Sequence, residues 1–320
     1  MALDRARMQV IVHGGAGDRP DEPGDRQEVL DSAADRGADE STPLDAVDAA
    51  VGVLERSPRF NAGTGGARQS DGAVRTDAGI MTSERAVGAA CSMPGVERAV
   101  GVARVVLEAT PHVLLSGEHA VALAEDYGVE TGVDLLSDRT RERWDRTAPP
   151  EGPPSEQLSW IHDHFGATGE AMPEGGEADG GDEDADRTGD ADPTDHDTVG
   201  AVATDGDRVA AATSTGGRWY ALAGRVGDVP QVGSGFFATP SGGASATGAG
   251  EAIATHGLAR RAVDLLDNGV DAADAAERAI EAFGTETDAE AGVIVADADG
   301  GLGSAFNSAA MQTGSAGSIE

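Results

Sequence analysis

Residues 198–215, with the sequence TVGAVATDGDRVAAATST, contain the clearest structural signal in the chain. Two runs rich in alanine and β-branched residues, 199–204 and 208–215, flank an Asp-Gly-Asp turn. Runs of this composition favour strands, and a short turn that contains Gly between two of them indicates a β-hairpin. Ordered structure is therefore predicted to resume at Thr198 with a hairpin.

The segment before the hairpin, residues 166–197, has a very different composition. It holds 12 Asp or Glu, one Arg and many Gly, and Met172 is its only large aliphatic residue. Such a segment cannot bury enough apolar surface to offset the entropy of ordering it. We predict a disordered acidic linker at residues 166–197 between two ordered halves, residues 1–165 and 198–320. A calcium-binding loop is the weaker alternative, because the ligand spacing of an EF-hand is missing.

The periodicity on either side of this linker predicts an α+β or α/β layout in two halves. Residues 8–12 form an apolar run that reads as a strand entering a glycine turn at His13. Thr42 is placed to cap a helix that has Pro43 in its first turn, and Asp271 is placed to cap another. Further helices are predicted over 96–110, 116–127, 155–165, 251–266 and 272–283, and further strands over 292–296 and 302–307.

The charge balance excludes several classes of function. The chain of 320 residues carries 57 Asp and Glu against 23 basic residues, a net charge of −34, and it contains no lysine. A P-loop lysine, a kinase lysine and a lysine Schiff base are therefore excluded. Nucleic acid and anionic membranes are not expected as partners, because neither binds an acidic surface. The composition resembles that of halophilic proteins, in which salt screens the repulsion between carboxylates.

The cysteine content and the first residues predict a cytoplasmic protein. Cys91 is the only cysteine, so an intramolecular disulfide is excluded. The apolar run at residues 8–12 is too short for a signal-peptide core or a membrane span.

Hydroxyl and charged side chains recur on glycine turns beside the predicted strand ends of the second half. They lie in segments 213–217, 224–228 and 246–251, close in sequence to Thr198. Hydroxyls, an arginine, an aspartate and exposed backbone amides can activate a threonine, bind an amino acid by both its charges and stabilise an oxyanion. We therefore place the candidate site here.

Nine short motifs follow one another along nearly the whole chain. They are HGGAG at 13–17, LERSPRFNAG at 54–63, TDAGIM at 76–81, SGE at 116–118, HDTVG at 196–200, TSTGG at 213–217, GRVGD at 224–228, TGAGE at 247–251 and FNSAAM at 306–311. In this order and spacing the sequence resembles the isoaspartyl peptidase / plant-type L-asparaginase family of N-terminal nucleophile hydrolases. The resemblance implies a single domain with an α+β fold, in which residues 1–165 belong to the first fragment, with the linker at its end, and residues 198–320 form the second. It also implies a four-layer αββα sandwich in which the two autoproteolytic fragments share each sheet, and a homodimer of cleaved protomers.

The resemblance also implies self-cleavage and an activity. The precursor would cut itself between Asp197 and Thr198, which frees an α-amino group on Thr198. With a reference pKa of about 7.7–8.0, this amine can act as general base for the hydroxyl of the same residue. The implied reactions are hydrolysis of L-asparagine to L-aspartate and ammonia and cleavage of β-aspartyl (isoaspartyl) dipeptides, without a catalytic cofactor.

The same resemblance assigns roles around this nucleophile. Thr215 would support the Thr198 hydroxyl, and Arg225 would pair with the substrate α-carboxylate in the two-pronged geometry of a guanidinium. Asp228 would receive the substrate α-ammonium group. The Thr247 hydroxyl and the Gly248 amide would form the oxyanion hole.

Two further assignments concern residues 54–64, which contain the LERSPRFNAG motif. Asn61 matches a family residue that helps the geometry of the precursor. Backbone carbonyls in the same segment would bind a structural sodium ion, and the matching residues are Leu54, Glu55, Ser57, Phe60, Ala62 and Thr64.

Two alternatives stay open. His196 and Asp197 before the nucleophile are reminiscent of the glycosylasparaginases, although the opening HGGAG motif and the absence of a secretory signal favour the asparaginase group. An uncleaved, inactive scaffold or binding protein is the non-enzymatic alternative. Taken alone, Arg225 and Asp228 are also consistent with a plain surface ion pair, which contributes little stability.

Overall fold

The computed structural model describes residues 8–147, 149–165 and 198–317. The strands in these residues are β1 (Gln9–Gly17), β2 (Arg75–Thr82), β3 (Val87–Pro94), β4 (Leu114–Ser116), β5 (Val199–Thr204), β6 (Val209–Thr215), β7 (Phe236–Thr239), β8 (Gly242–Gly248), β9 (Ala291–Asp297), β10 (Leu302–Phe306) and β11 (Ala310–Ala316). The helices are α1 (Pro23–Ala38), α2 (Pro43–Glu55), α3 (Ala99–Ala109), α4 (Gly117–Asp126), α5 (Asp138–Arg146), α6 (Pro154–Phe165), α7 (Gly250–His256), α8 (Leu258–Asp267) and α9 (Ala272–Thr287).

The larger of two sheets contains seven strands in the order β11-β1-β5-β6-β2-β3-β4. Neighbouring strands are antiparallel except β3 and β4, which are parallel. Helices α1, α2 and α3 pack on this sheet, and Leu30, Val51 and Val102 lie fully buried in the core between them. Burial of apolar surface of this kind is the main force that holds a helix on a sheet.

The smaller sheet contains four strands in the order β10-β9-β8-β7. Helices α8 and α9 pack on it, and β8 and β9 contact β1 and β5 of the larger sheet. Ile11, Phe236 and Ile294 fill the core between the two sheets. The described strands of this sheet all lie in residues 236–306, so the expectation that both halves contribute to each sheet is wrong for the smaller one.

The hairpin predicted after residue 197 is confirmed. Val199 lies opposite Ser214 and Thr204 lies opposite Val209, and Asp205 Oδ1 accepts a 2.8 Å hydrogen bond from the backbone N–H of Arg208 in the turn. Both strands are buried along their whole length at the centre of the larger sheet. Thr198 therefore stands immediately before a strand that is paired on both sides.

The two predicted helix caps are confirmed, whereas the helix predicted over 96–110 spans Ala99–Ala109. Thr42 accepts a hydrogen bond from Asp45 N–H at 3.1 Å, and Asp271 accepts one from Asp274 N–H at 3.0 Å. The single helix predicted over 251–266 is wrong: it is divided into α7 and α8 at Gly257, whose φ of 74° is left-handed.

The glycine turn predicted at His13 is also wrong. β1 continues to Gly17, with an irregularity in its pairing to β11 between His13 and Ala16. The predicted disordered linker at 166–197 lies outside the described residues. In the part of the chain that is described, none of the helices is both long enough and apolar enough to cross a membrane.

Candidate active site

Two threonine hydroxyls meet at the open end of the β5–β6 hairpin. Thr198 Oγ1 donates to Thr215 Oγ1 at 3.2 Å, and both residues are buried, with 8% and 4% of their surface exposed. Alternate residues of a strand share a face, so Thr215 points the same way as Thr213, which contacts Ser245 of the smaller sheet. The predicted pair is therefore brought together at one end of the space between the two sheets.

Asn61 holds the chain that leaves β6. Its side-chain Nδ2 donates to Gly217 O at 2.6 Å, its Oδ1 accepts from Ala67 N–H at 2.7 Å, and its backbone carbonyl accepts from Gly216 N–H at 2.8 Å. The Asn61 carbonyl also lies 3.5 Å from the Thr215 hydroxyl. These contacts fix the glycine turn directly after Thr215.

Thr247 and Gly248 end strand β8 of the smaller sheet, next to the first half of the chain. Thr247 is fully buried, and its Oγ1 accepts from Ala16 N–H of β1 at 3.3 Å. Gly248 has a φ of 133°, and a Cβ at this position would lie 2.5 Å from Glu290 O. Only glycine fits that conformation and that close approach without strain.

Arg225 is already engaged in a two-pronged ion pair. Its Nε and Nη2 each donate to one carboxylate oxygen of Glu251 at 2.8 Å, and Arg218 Nη1 lies 3.8 Å from the same carboxylate. Although burial opposes the effect, Arg225 holds the pKa of Glu251 down to about 2. Glu251 therefore occupies the side-on edge of the guanidinium, so two-pronged pairing with a substrate carboxylate would use the end-on edge.

Asp228 is a buried carboxylate with an unused acceptor. Its side chain has no hydrogen-bond partner at Oδ2 among the described residues, and burial raises its pKa to about 7 although Arg225 acts against the shift. The ion pair between Arg225 and Asp228 that was considered from the sequence is not formed. A Cβ at Gly250 would lie 2.6 Å from Arg225 Nη2 and 2.9 Å from Asp228 Oδ1, so both side chains converge on a glycine.

Asp77 is a carboxylate to which the sequence assigned no role. It lies opposite Thr215 in the pairing of β2 with β6, is 2% exposed and accepts from Ser92 N–H at 2.6 Å. Burial raises its pKa to about 7, and the Ser92 hydrogen bond and the charge of Arg225 only partly oppose this. The charges of Asp77, Asp228 and Glu251 thus all act on the same guanidinium.

His13 was also missed as part of the site. Its ring Nε2 lies 2.9 Å from Ser245 Oγ, which lies 2.6 Å from Thr213 Oγ1. Burial lowers the pKa of His13 to about 3, although the backbone of Thr198 acts to raise it. A neutral imidazole therefore ties β1 to the smaller sheet directly beside Thr198.

The segment predicted to bind sodium forms a tight turn after α2. Glu55 O accepts from Thr64 N–H at 2.9 Å, and a Cβ at Gly65 would lie 2.9 Å from the carbonyl oxygens of both Pro58 and Phe60. The left-handed φ of 95° and this close approach leave room only for glycine at position 65. Across residues 8–147, 149–165 and 198–317, no three His, Cys, Asp or Glu side chains are grouped to hold a metal ion.

Comparison with known proteins places the chain in a family. Residues 6–319 match the model of the family described as Asparaginase. The chain is 40% identical over 318 residues to the plant-type L-asparaginase of Pyrobaculum calidifontis, covering 95% of each chain. It is 38% identical over 316 residues to the plant-type L-asparaginase of Pyrococcus abyssi, covering 95% of this chain and 94% of the relative. It is 32% identical over 312 residues to the isoaspartyl peptidase/L-asparaginase of Danio rerio, covering 94% of this chain and 90% of the relative.

These matches define the class of protein as a hydrolase of the asparaginase type. The chain belongs to the asparaginase family, and the resemblance to isoaspartyl peptidases and plant-type L-asparaginases drawn from the nine motifs is confirmed.

Proposed function

We propose that the protein is a self-processing threonine amidohydrolase that hydrolyses L-asparagine to L-aspartate and ammonia and cleaves β-aspartyl dipeptides. The names of its relatives support these substrates. The observation that carries the proposal is the buried Thr198–Thr215 hydroxyl pair at the position where the chain would be cut. Arg225 and Asp228, which converge on Gly250, supply opposite charges for the α-carboxylate and α-ammonium groups of an amino acid.

The first step forms an ester. Thr198 Oγ1 attacks the carbonyl carbon of the substrate side-chain amide while its proton passes to the α-amine of the same residue. The oxyanion that forms would accept hydrogen bonds from the Thr247 hydroxyl and the Gly248 N–H. When the C–N bond breaks, the α-ammonium returns its proton to the leaving nitrogen, which departs as ammonia or as a free amino acid.

The second step hydrolyses the ester. The α-amine of Thr198 removes a proton from water, which attacks the carbonyl carbon of the aspartyl ester. When the C–O bond to Thr198 breaks, the α-ammonium returns the proton to Oγ1 and L-aspartate is released. Throughout both steps, the substrate α-carboxylate would bind the end-on edge of Arg225 and the α-ammonium group would bind Asp228. Glu251 would keep the guanidinium plane fixed.

Several structural expectations belong to the same proposal. The contacts of α1–α3 with the larger sheet, of α8–α9 with the smaller sheet and of the two sheets with each other support a four-layer αββα sandwich. The cut would fall between Asp197 and Thr198. The first fragment would contain residues 1–165, and the second would consist of residues 198–320. The net charge of −34 without lysine supports a salt-adapted protein, and a cytoplasmic location stays a prediction. A homodimer is expected from the family resemblance alone.

We extend the proposal to a structural sodium ion in the turn after α2. The carbonyls of Leu54, Glu55, Ser57, Phe60, Ala62 and Thr64 would hold it. This assignment is expected from the family resemblance alone. Bound there, sodium would neutralise the clustered carbonyl dipoles and stabilise the turn that positions Asn61.

The proposed function is tested with protein incubated in molar KCl. A denaturing gel should resolve fragments 1–197 and 198–320, and the cleaved protein should release ammonia from L-asparagine and leucine from β-Asp-Leu. Faster turnover of an aspartylglucosamine substrate would instead identify a glycosylasparaginase. A persistent full-length band with no turnover would identify an inactive binding protein.

The pH dependence of kcat/KM should reveal two groups that must both lose a proton. Asp228, with a pKa near 7, must be ionised to receive the substrate ammonium group, and the Thr198 α-amine must be neutral to act as base. Burial and the negative charges of Glu251 and Asp77 raise the pKa of Asp228, and the positive charge of Arg225 lowers it. Its titration is therefore expected close to pH 7. As the pH falls below about 7, log kcat/KM should lose about two units per pH unit.

The control for this profile is Asp228→Asn, which removes one titrating group and keeps the shape of the side chain. The variant should have a lower kcat/KM at every pH, and its acid limb should have a slope of one. An acid limb with the same slope in the variant and in the wild type would contradict the role given to Asp228.

A further inference from the structure

The loop that carries Arg225 and Asp228, residues 216–228, contains no helix or strand. Its backbone polar groups must therefore find partners elsewhere. The segment 68–70 supplies them: Arg68 O accepts from Tyr220 N–H at 2.8 Å, and Ser70 N–H donates to Ala221 O at 2.8 Å. Backbone hydrogen bonds to segment 68–70 thus hold the 216–228 loop in place.

Two buried side chains of the same segment hold the part of the loop nearest to Arg225. Gln69 Oε1 accepts from Gly224 N–H at 3.0 Å, and Gln69 Nε2 donates to Arg225 O at 3.1 Å. Ser70 Oγ accepts from Ala223 N–H at 3.0 Å. The backbone on both sides of Gly224 is therefore set by side-chain hydrogen bonds.

Ser70 also links the loop to helix α6 by a hydrogen bond. Its hydroxyl donates to Gln157 Oε1 at 2.8 Å, and Gln157 is the buried residue on an otherwise exposed stretch of the helix. Ser70 thus accepts from the loop and donates to α6 through one oxygen atom. Hydrogen bonds that share an atom in this way strengthen one another.

An aromatic cluster packs α5 and α6 against the same loop. Trp144 of α5 and Trp160 of α6 lie with ring centroids 5.9 Å and 5.6 Å from Tyr220, and Trp219 lies 5.6 Å from it. Arg143 lies 4.5 Å above the Trp219 ring. Tyr220 has a φ of 58°, a left-handed conformation that costs free energy and needs packing to be held. The three tryptophans of the chain all belong to this cluster.

We propose that α6 stabilises the conformation of the 216–228 loop. In this proposal Gln157 is a positioning residue that acts on Arg225 and Asp228 through Ser70. The inference rests on the proposed function, because it assigns the effect to binding of the substrate α-carboxylate and α-ammonium groups. Among the described elements, neither α5 nor α6 packs extensively against another helix or strand. The contacts that hold α6 in position are therefore mainly those with the 216–228 loop and with segment 68–70.

The test is Gln157→Met, which keeps the length of the side chain and removes the amide acceptor. KM for L-asparagine should rise about three- to tenfold while kcat stays within about twofold, because the groups affected bind the ground state and the transition state alike. Self-cleavage and the tryptophan emission spectrum should be unchanged. Gln157→Glu, which keeps an oxygen acceptor, should restore KM, and Ser159→Ala on the exposed face of α6 should match the wild type.

Three outcomes would overturn the inference. One is an unchanged KM in Gln157→Met; another is a fall in melting temperature and kcat with no change in KM, which indicates a merely structural role. The third is a KM in Gln157→Glu as high as in Gln157→Met. A wild-type protein that neither hydrolyses L-asparagine nor binds L-aspartate in calorimetry would contradict the proposed function itself.

Discussion

Thr198→Ala is expected to leave the chain as one 320-residue band and to abolish hydrolysis of L-asparagine. Without the hydroxyl, no nucleophile can attack the carbonyl of Asp197, so the α-amine that serves as general base is never released. The two losses have one cause, because both reactions use the same oxygen atom. The measurement is a denaturing gel together with ammonia release after long incubation in molar KCl.

Two variants serve as controls for this result. Thr198→Ser keeps a hydroxyl and should retain both reactions at reduced rates. Thr204→Ala changes the same residue type at the far end of β5 and should leave self-cleavage intact. The assignment would be wrong if Thr198→Ala retained turnover, or if mass spectrometry of active wild-type protein showed Asp197 still joined to Thr198.

Thr247→Val is expected to lower kcat about 100- to 1000-fold, the loss that follows removal of one oxyanion-hole donor. Valine has nearly the shape of threonine, so the fully buried site should keep its packing, although the hydrogen bond from Ala16 N–H is lost. KM should change little, because the oxyanion is present only in the transition state and the intermediates. Steady-state rates are measured per cleaved chain, since the same donor can also assist self-cleavage.

Thr239→Val is the matched control for Thr247→Val. Thr239 is paired with Gly242 at the opposite end of the β7–β8 hairpin, and its hydroxyl donates to Asp267 at 2.9 Å. This variant should have the kcat of the wild type. A loss in Thr247→Val of less than about threefold would remove Thr247 from the oxyanion hole.

Features fixed by neighbouring residues could be predicted from the sequence. The β5–β6 hairpin, the Thr42 and Asp271 caps and the position of Thr198 before β5 each depend on a few consecutive residues. The Thr198–Thr215 pair follows directly, because a hairpin brings its two ends together.

The features that were missed depend on contacts distant in sequence or on atypical strands. β8 is built mainly from Gly, Ala and Ser, a composition that carries no strand signal, and its burial between β7 and β9 decides its conformation. The pairing of Arg225 with Glu251 joins residues 26 positions apart. No local pattern shows that this carboxylate occupies one edge of the guanidinium.

The strand order of the larger sheet has a consequence for folding before and after cleavage. β5 and β6, from the second half, lie between β1 and β2, from the first half. A break before Thr198 precedes β5, so it would leave the described backbone ladders intact and the two pieces interleaved. Once denatured, those pieces would have to find each other as separate polypeptides, whereas the uncut chain can fold alone. Maturation would thus turn a unimolecular folding reaction into a bimolecular one.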